Sequence, residues 1–167
     1  MKNFHSFFIG FILILFSVCQ EKEELFTPEL IGTWEKTGFD PTNGYEGVLS
    51  YNFKTDGTYT WSISYREPGA TENLGYQLIW KGNFRSTENQ LTLMPQEIFY
   101  PAENFRTPPG AKMEDMVKSQ EYNPDSPGSV NIYRINISND ATEFLLYAQP
   151  VAGNGPPSDD ILFVKVK

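Results

Sequence analysis

From Leu30 onward hydrophobic and polar residues alternate with a period of two, the pattern of strands that bury one face. Tyr59, Trp61, Ile63 and Tyr65 share one side, with Thr60, Ser62 and Ser64 on the other. Tyr76, Leu78, Trp80 and Phe84 repeat the pattern against Gln77, Lys81 and Asn83. Eight segments read as strands: 30–38, 47–54, 58–66, 76–85, 90–95, 130–138, 142–149 and 160–167. Thr55-Asp56-Gly57 is a tight-turn signal between the second and third, and Ser86-Thr87-Glu88-Asn89 and Ser138-Asn139-Asp140 link later pairs over hairpin lengths. Short links force antiparallel neighbours. The expected fold is therefore all-β: an eight-stranded antiparallel up-and-down barrel, closed so that no strand is left as an edge.

The rhythm stops between the fifth and sixth strands. Residues 96–129 carry Pro101, Pro108, Pro109, Pro124 and Pro127, which argues against a continuous strand. Within this insertion, 111–122 has the spacing of a short helix with Met113, Met116 and Val117 on one face. An insertion of this length reads either as a functional lid or as a surface flap packed by its methionines. A second stretch rich in Gly and Pro, 150–160, reads as a loop. There is no internal repeat and no sign of a second domain.

The first residues have a different character. Lys2 precedes an uncharged apolar run, Phe7 to Phe16, too short for a comfortable membrane span, and Cys19 follows before the chain turns polar. This arrangement divides the chain into a signal peptide over 1–18, a linker over 19–29 and a barrel domain over 30–167. Phe16-Ser17-Val18-Cys19 resembles the lipobox of bacterial lipoproteins, with bulky Phe16 and Val18 where a Leu and a small residue are usual. The resemblance implies a Cys19 carrying fatty-acyl chains such as palmitate, and anchoring of the protein to the outer membrane, since two or three chains hold durably. The other reading is an ordinary signal peptide with an incidental cysteine. Gln20-Glu21-Lys22-Glu23-Glu24 resembles the surface-export signal of lipoproteins from one Gram-negative phylum, which would put the barrel outside the cell; the alternative is a solvated linker.

Composition removes several function classes. With 167 residues the chain holds one ordinary domain. Its net charge of −8, without a basic stripe, disfavours nucleic acid as a partner. A single cysteine rules out a disulfide framework. The only histidine, His5, lies in the expected signal peptide, so imidazole bases and His- or Cys-rich metal sites are unavailable to the mature protein.

Leu30-Ile31-Gly32-Thr33-Trp34, at the opening of the first strand, resembles the Gly-x-Trp signature of lipocalins and of the lipocalin-like domains of bacterial lipoproteins. The resemblance spans essentially the whole mature chain. It implies a barrel closed at one end by Trp34, with a basic residue from a late strand, Lys165 or Arg134, packed on the indole. It assigns Gly32 and Trp34 to structure and suggests a small ligand without naming one. The chain lacks the Thr-Asp-Tyr element, disulfide pair and trailing helix of animal lipocalins, which favours the looser bacterial domains.

No arrangement of catalytic groups emerges. Asp56, Asp125, Asp159 and Asp160 sit in turn-like sequence, and no calcium loop, phosphate loop or dinucleotide fingerprint is present. The expectation is a protein that is not an enzyme and that needs no metal or cofactor. What remains is an aromatic face: Tyr51, Phe53, Tyr59, Trp61, Tyr65, Tyr76, Trp80 and Phe84. Such rings either fill a small barrel or line a cavity in it. The first reading is a binding module for a small hydrophobic or amphiphilic ligand, lined by Tyr59, Trp61, Tyr65, Tyr76 and Trp80. The second is a filled barrel that works as a structural or interaction protein through the 96–129 loop, docking a surface glycan or envelope protein or inhibiting an enzyme. Phe99, Tyr100, Phe105 and Tyr122, if exposed, would favour the second.

Overall fold

The alternating segments form nine strands in a computed structural model that describes residues 26–126, 129–147 and 160–166. In chain order they are β1 (Gly32–Asp40), β2 (Tyr45–Phe53), β3 (Thr58–Arg66), β4 (Gly75–Thr87), β5 (Gln90–Pro101), β6 (Met116–Lys118), β7 (Asn131–Ile137), β8 (Glu143–Tyr147) and β9 (Ile161–Lys165). All pairings are antiparallel. β1 to β5, then β7, β8 and β9, follow one another around the sheet, and β9 returns to β1. The result is a closed eight-stranded barrel with β6 as an extra strand. The apolar run near the start of the chain, where a signal peptide is expected, Cys19 and the acidic cluster lie outside the described residues, as does most of the 150–160 loop.

Turn chemistry sets the register. At the β2–β3 turn Gly57 takes a φ of +81°, and Asp56 Oδ1 accepts from both the backbone N–H and the hydroxyl of Thr58, at 2.9 and 2.6 Å. At the β7–β8 turn Asp140 Oδ1 accepts from the hydroxyls of Ser138 and Thr142, at 2.7 and 2.8 Å. These hydrogen bonds favour the ionised acid and hold both carboxyls below the ordinary aspartate value, Asp56 chiefly through the Thr58 hydroxyl and Asp140 through that of Ser138. A lowered folded value stabilises the fold above the unfolded value, near pH 4, and that contribution is lost as pH falls through the folded value. The urea midpoint should therefore drop as pH falls below about 4, and Asp140→Asn should flatten the drop; an unchanged slope in that variant would show that its turn contributes nothing.

Two irregularities steer the side chains. Between Ile63 and Ser64 the β3–β4 register shifts, so Ile63 faces Leu78 while Ser64 faces Tyr76 and Gln77 is the extra residue. Between Lys81 and Gly82 the β4–β5 register shifts, so Lys81 faces Glu97 and Gly82 faces Pro95, with Gln96 extra. The second bulge reverses the parity of β5. Leu91, Leu93 and Pro95 point inward below it and Ile98 above it, which carries the strand on to Pro101 rather than ending it at the expected 95.

The helix expected over 111–122 does not form. The segment instead makes a single 3₁₀ turn, Met113–Asp115, followed by β6. The reason lies in its neighbour: β7 pairs only with Gln90–Leu93, which leaves the far half of β5 as an open edge. Met116–Lys118 satisfies its backbone there, against Phe99–Pro101, and Lys118 adds an ion pair to Glu97 at 2.7 Å. Ala111 is fully buried and bridges Tyr76, which ties the rest of the insertion to β4.

The core occupies the end of the barrel where β1 begins. Trp34, Tyr51, Phe53, Tyr59, Phe84, Phe144 and Phe163 are buried together with Leu30, Leu91, Leu93 and Ile135. Their rings meet mostly edge to face, as Phe53 does with Phe84 at 4.9 Å and Tyr51 with Phe163 at 5.2 Å. Trp34 donates from Nε1 to the Leu30 carbonyl at 2.7 Å, and Lys165 Nζ stands 4.8 Å from the centre of its ring while donating to the Glu29 carbonyl. Arg134 stacks instead on Tyr147, at 4.2 Å. Gly32, at a φ of +128°, lets Lys165 pass, because a Cβ there would stand 2.9 Å from Lys165 Cε.

Candidate functional site

The opposite end of the barrel is built differently because its strands are unequal. β1 to β5 run for nine to thirteen residues, whereas β7, β8 and β9 have seven, five and five. Only Trp34 and Glu35 of β1 pair with β9, and above them the two strands part. The long strands therefore present the upper part of their inner face past the short ones. There Arg66 holds the wall together from outside, reaching Glu46 on β2 at 2.6 Å and Glu35 on β1 at 3.0 Å.

On that inner face lies an open cleft of about 230 Å³, lined by Lys36, Gly38, Gly47, Leu49, Ile63 and Tyr65 together with the backbone side of Thr37 and Val48. Its space comes from a missing pair of side chains. Gly38 and Gly47 face each other across β1 and β2, and a Cβ on Gly38 would meet nothing within 4 Å. Apolar surface dominates the lining, with Lys36 at the rim as its one cation. Tyr45 closes one side by edge contact with Tyr65, at 6.4 Å between ring centres.

The five residues read from the sequence as a lining do not stay together. Tyr65 reaches the cleft directly. Trp61 and Trp80 face each other below it, in edge contact at 5.1 Å, and Tyr51 meets Trp61 at 6.4 Å. Tyr59 lies deeper, 2% exposed and packed near Phe53. Tyr76 leaves the group: the first bulge puts it in register with Ser64, on the outer face of the sheet. The sequence reading missed the two glycines, together with Leu49 and Ile63. A glycine inside a strand was the available signal, since it marks close backbone approach or empty space.

Below the cleft, the interior carries polar atoms without protein partners. Among the described residues, Tyr59 Oη and Trp80 Nε1 are buried and accept or donate no hydrogen bond. Burial raises the Tyr59 hydroxyl well above its ordinary value, and the neighbouring phenols of Tyr122 and Tyr133 add to the rise. Burial does the same at Tyr51. These phenols stay protonated at any physiological pH and can act only as neutral donors or acceptors. Among the described residues no group of three or more His, Cys, Asp or Glu side chains is placed to hold a metal ion.

The insertion exposes Tyr100, Phe105, Met113 and Val117, while Phe99 and Tyr122 are partly buried. Lys81 lies over the Phe99 ring at 4.8 Å, and the Tyr122 hydroxyl donates to the Pro95 carbonyl at 3.1 Å. Comparison with family models, with curated proteins and with solved structures returns no match for this chain.

Proposed function

We propose that the protein is a non-enzymatic envelope lipoprotein of the lipocalin-like kind, whose barrel takes a small hydrophobic or amphiphilic ligand at its open end. The observation that carries the reading is the apolar cleft created by Gly38 and Gly47 above Trp61 and Trp80. Its volume of about 230 Å³ falls below the roughly 300–1,000 Å³ of most ligand pockets, so it suits a small molecule or one end of a longer one. The aromatic rings below it supply flat apolar contact with little entropy to lose.

Anchoring through an acylated Cys19 gives this site a direction. Phe26 packs on Phe84 at 5.6 Å and the Thr27 N–H donates to Ser86 Oγ, so the chain enters at the closed end of the barrel. Six residues lie between Cys19 and Phe26, a reach of at most about 25 Å over the seven steps. The closed end then sits near the bilayer and the cleft opens away from it.

Native mass spectrometry of the protein from its own host, free of detergent, tests the reading. The expected result is an adduct that survives desalting and is lost on mild denaturation. Gly38→Trp should abolish the adduct, because the new ring projects into the cleft. Unfolding should stay near wild type, since that position has open space and no left-handed backbone. A bare mass for wild type, or an adduct that persists in the variant, would remove the cleft as its site.

A second reading has one observation in its favour. Tyr100 and Val117 are paired across β5 and β6, and both are exposed. With Phe105 and Met113 they give the insertion an apolar surface suited to a protein or glycan partner.

A further inference from the structure

The seam between β1 and β9 is closed only at its lower end. There the Val166 N–H donates to the Thr33 carbonyl at 2.9 Å, and the pairing runs no further than Glu35 and Val164. By the period of two, the backbone groups of Thr37 and Phe39 point toward the seam as those of Thr33 do, while Lys36, Gly38 and Asp40 direct theirs to β2. Among the described residues no strand takes up the N–H and C=O groups of Thr37 and Phe39. Lys36, Thr37, Gly38 and Phe39 are all exposed. An edge of this kind is a template for one more strand.

The seam has room for it. A groove of about 370 Å³ has Lys36 and Thr37 on one side and the exposed Leu162 and Val164 on the other. Lys36 and Thr37 also line the apolar cleft of about 230 Å³, so the two spaces meet along the β1 edge. The side chain opposite Gly38 would point inward, over a position where a Cβ meets nothing within 4 Å, and so enter the cleft beside Gly47. Its inward neighbours, two residues away on either side, would face Lys36 and Asp40. Lys36 has no ion pair among the described residues. The Asp40 carboxylate accepts from the Thr42 N–H and the Asn43 side chain, which leaves each oxygen a further lone pair. Glu35, Glu46 and Arg66 are occupied with one another on the outer face.

Resting on the reading of the cleft as a binding site, we infer that its occupant is an extended segment of another polypeptide, added antiparallel to the β1 edge. A large apolar residue stands opposite Gly38, an acidic one opposite Lys36 and a basic one opposite Asp40. The antiparallel direction is that of every other pairing in the sheet, and it takes up the ladder that β9 leaves. Backbone bonds to Thr37 and Phe39 give affinity, and the three inward side chains give choice. The cleft, small for a free ligand, suits a single side chain. A second copy of β1 would match the same charges, but the two-fold axis would turn its closed end, and the Cys19 that precedes it, away from the first copy's bilayer.

The test is a fluorescein-labelled peptide, Gly-Gly-Lys-Val-Phe-Thr-Glu-amide, titrated into the full chain and followed by anisotropy. It should bind roughly tenfold more tightly than the peptide with Ala for Phe, and than the one methylated on the backbone nitrogens of Val and Thr. Exchanging its Lys and Glu, which keeps composition and net charge, should weaken it several-fold. Lys36→Glu, at an exposed position, should reverse the preference at the last residue from Glu to Lys. Thr37→Pro removes one edge N–H without touching the β2 ladder and should weaken the peptide roughly tenfold; should it fail to fold, Lys36→Glu carries the comparison. Equal binding of the methylated or the charge-exchanged peptide overturns the inference. So does a wild-type dimer in sedimentation that Lys36→Glu dissolves, which would give the edge to a second copy. No binding at millimolar concentration, by a chain that carries a small-molecule adduct in native mass spectrometry, overturns the inference and leaves the cleft as a small-molecule site. Neither peptide binding nor adduct removes both readings.

Discussion

Trp34→Ala should lower the stability of the barrel by about 3–5 kcal/mol, the range for truncating a buried tryptophan. For a domain whose whole stability is of the order of 5–15 kcal/mol, that is a large share of the total. Three losses combine at this one position. The indole is fully buried and packs edge-on to Phe144 at 5.7 Å, so its removal opens a void in the aromatic core. The Leu30 carbonyl loses the Nε1 donor that holds the entry turn, Pro28–Leu30, against the barrel end. Lys165 loses the ring beneath its ammonium group. Trp34→Phe keeps most of the ring and forfeits the hydrogen bond, for an expected cost of about 1–3 kcal/mol. Lys165→Met should cost about 1 kcal/mol or less, as befits an exposed cation–π contact. Urea unfolding followed through the remaining tryptophans orders the three. A Trp34→Ala variant within about 1 kcal/mol of wild type would mean that the closed end is held by something other than this residue.

The strands were legible because each half-buried segment obeys the period of two and is bounded by turn residues with a definite chemistry, as at Asp56-Gly57 and Asp140. The eight barrel strands, their order and their antiparallel closure follow from that pattern together with the short links; β6 does not. Side-chain direction along β4 and β5 was not legible. A bulge adds one residue without any hydrophobic signal of its own, and everything beyond it changes face. Gln77 thereby moves Tyr76 to the outside of the barrel, and Gln96 brings Ile98 inside. The helix expected over 111–122 failed for a related reason. Local spacing favoured it, but the unpaired edge of β5 offered Met116–Lys118 a ladder that no local pattern records.

The candidate site was only partly legible. Trp61, Tyr65 and Trp80 belong to strands whose pattern holds as far as the open end, and there the aromatic face turns inward as read. The cleft itself depends on absent side chains and on unequal strand lengths. Gly38 and Gly47 oppose each other only because the β1–β2 turn pairs Asp40 with Tyr45, a register fixed by Asp40, Asn43 and a left-handed Gly44. Composition alone does not reveal which glycines will face each other.

Gly82→Val should be the most damaging single change in the long hairpin, with an expected loss of about 3 kcal/mol or more, at and beyond the upper end of ordinary overpacking. A Cβ at Gly82 would stand 2.2 Å from the Met94 carbonyl oxygen, 2.8 Å from Pro95 Cα and 2.9 Å from the Met94 carbonyl carbon. All three are backbone atoms, so no side chain can swing aside, and relief requires parting β4 from β5 at the bulge. That bulge is what turns Ile98 inward and carries β5 on to the edge that β6 occupies. The damage should therefore spread upward: amide exchange should quicken at Phe99 and Tyr100 and across β6 before it does at Gln90–Leu93, which β7 secures from the other side. Gly38→Ala supplies the contrast. Its Cβ enters open space, and replacing a strand glycine that has no strained backbone should raise stability by about 0.5–1 kcal/mol. Equal effects at the two positions would mean that the bulge at Gly82 yields as easily as an open mouth, and the upper half of β5 would then owe its course to something other than that close approach.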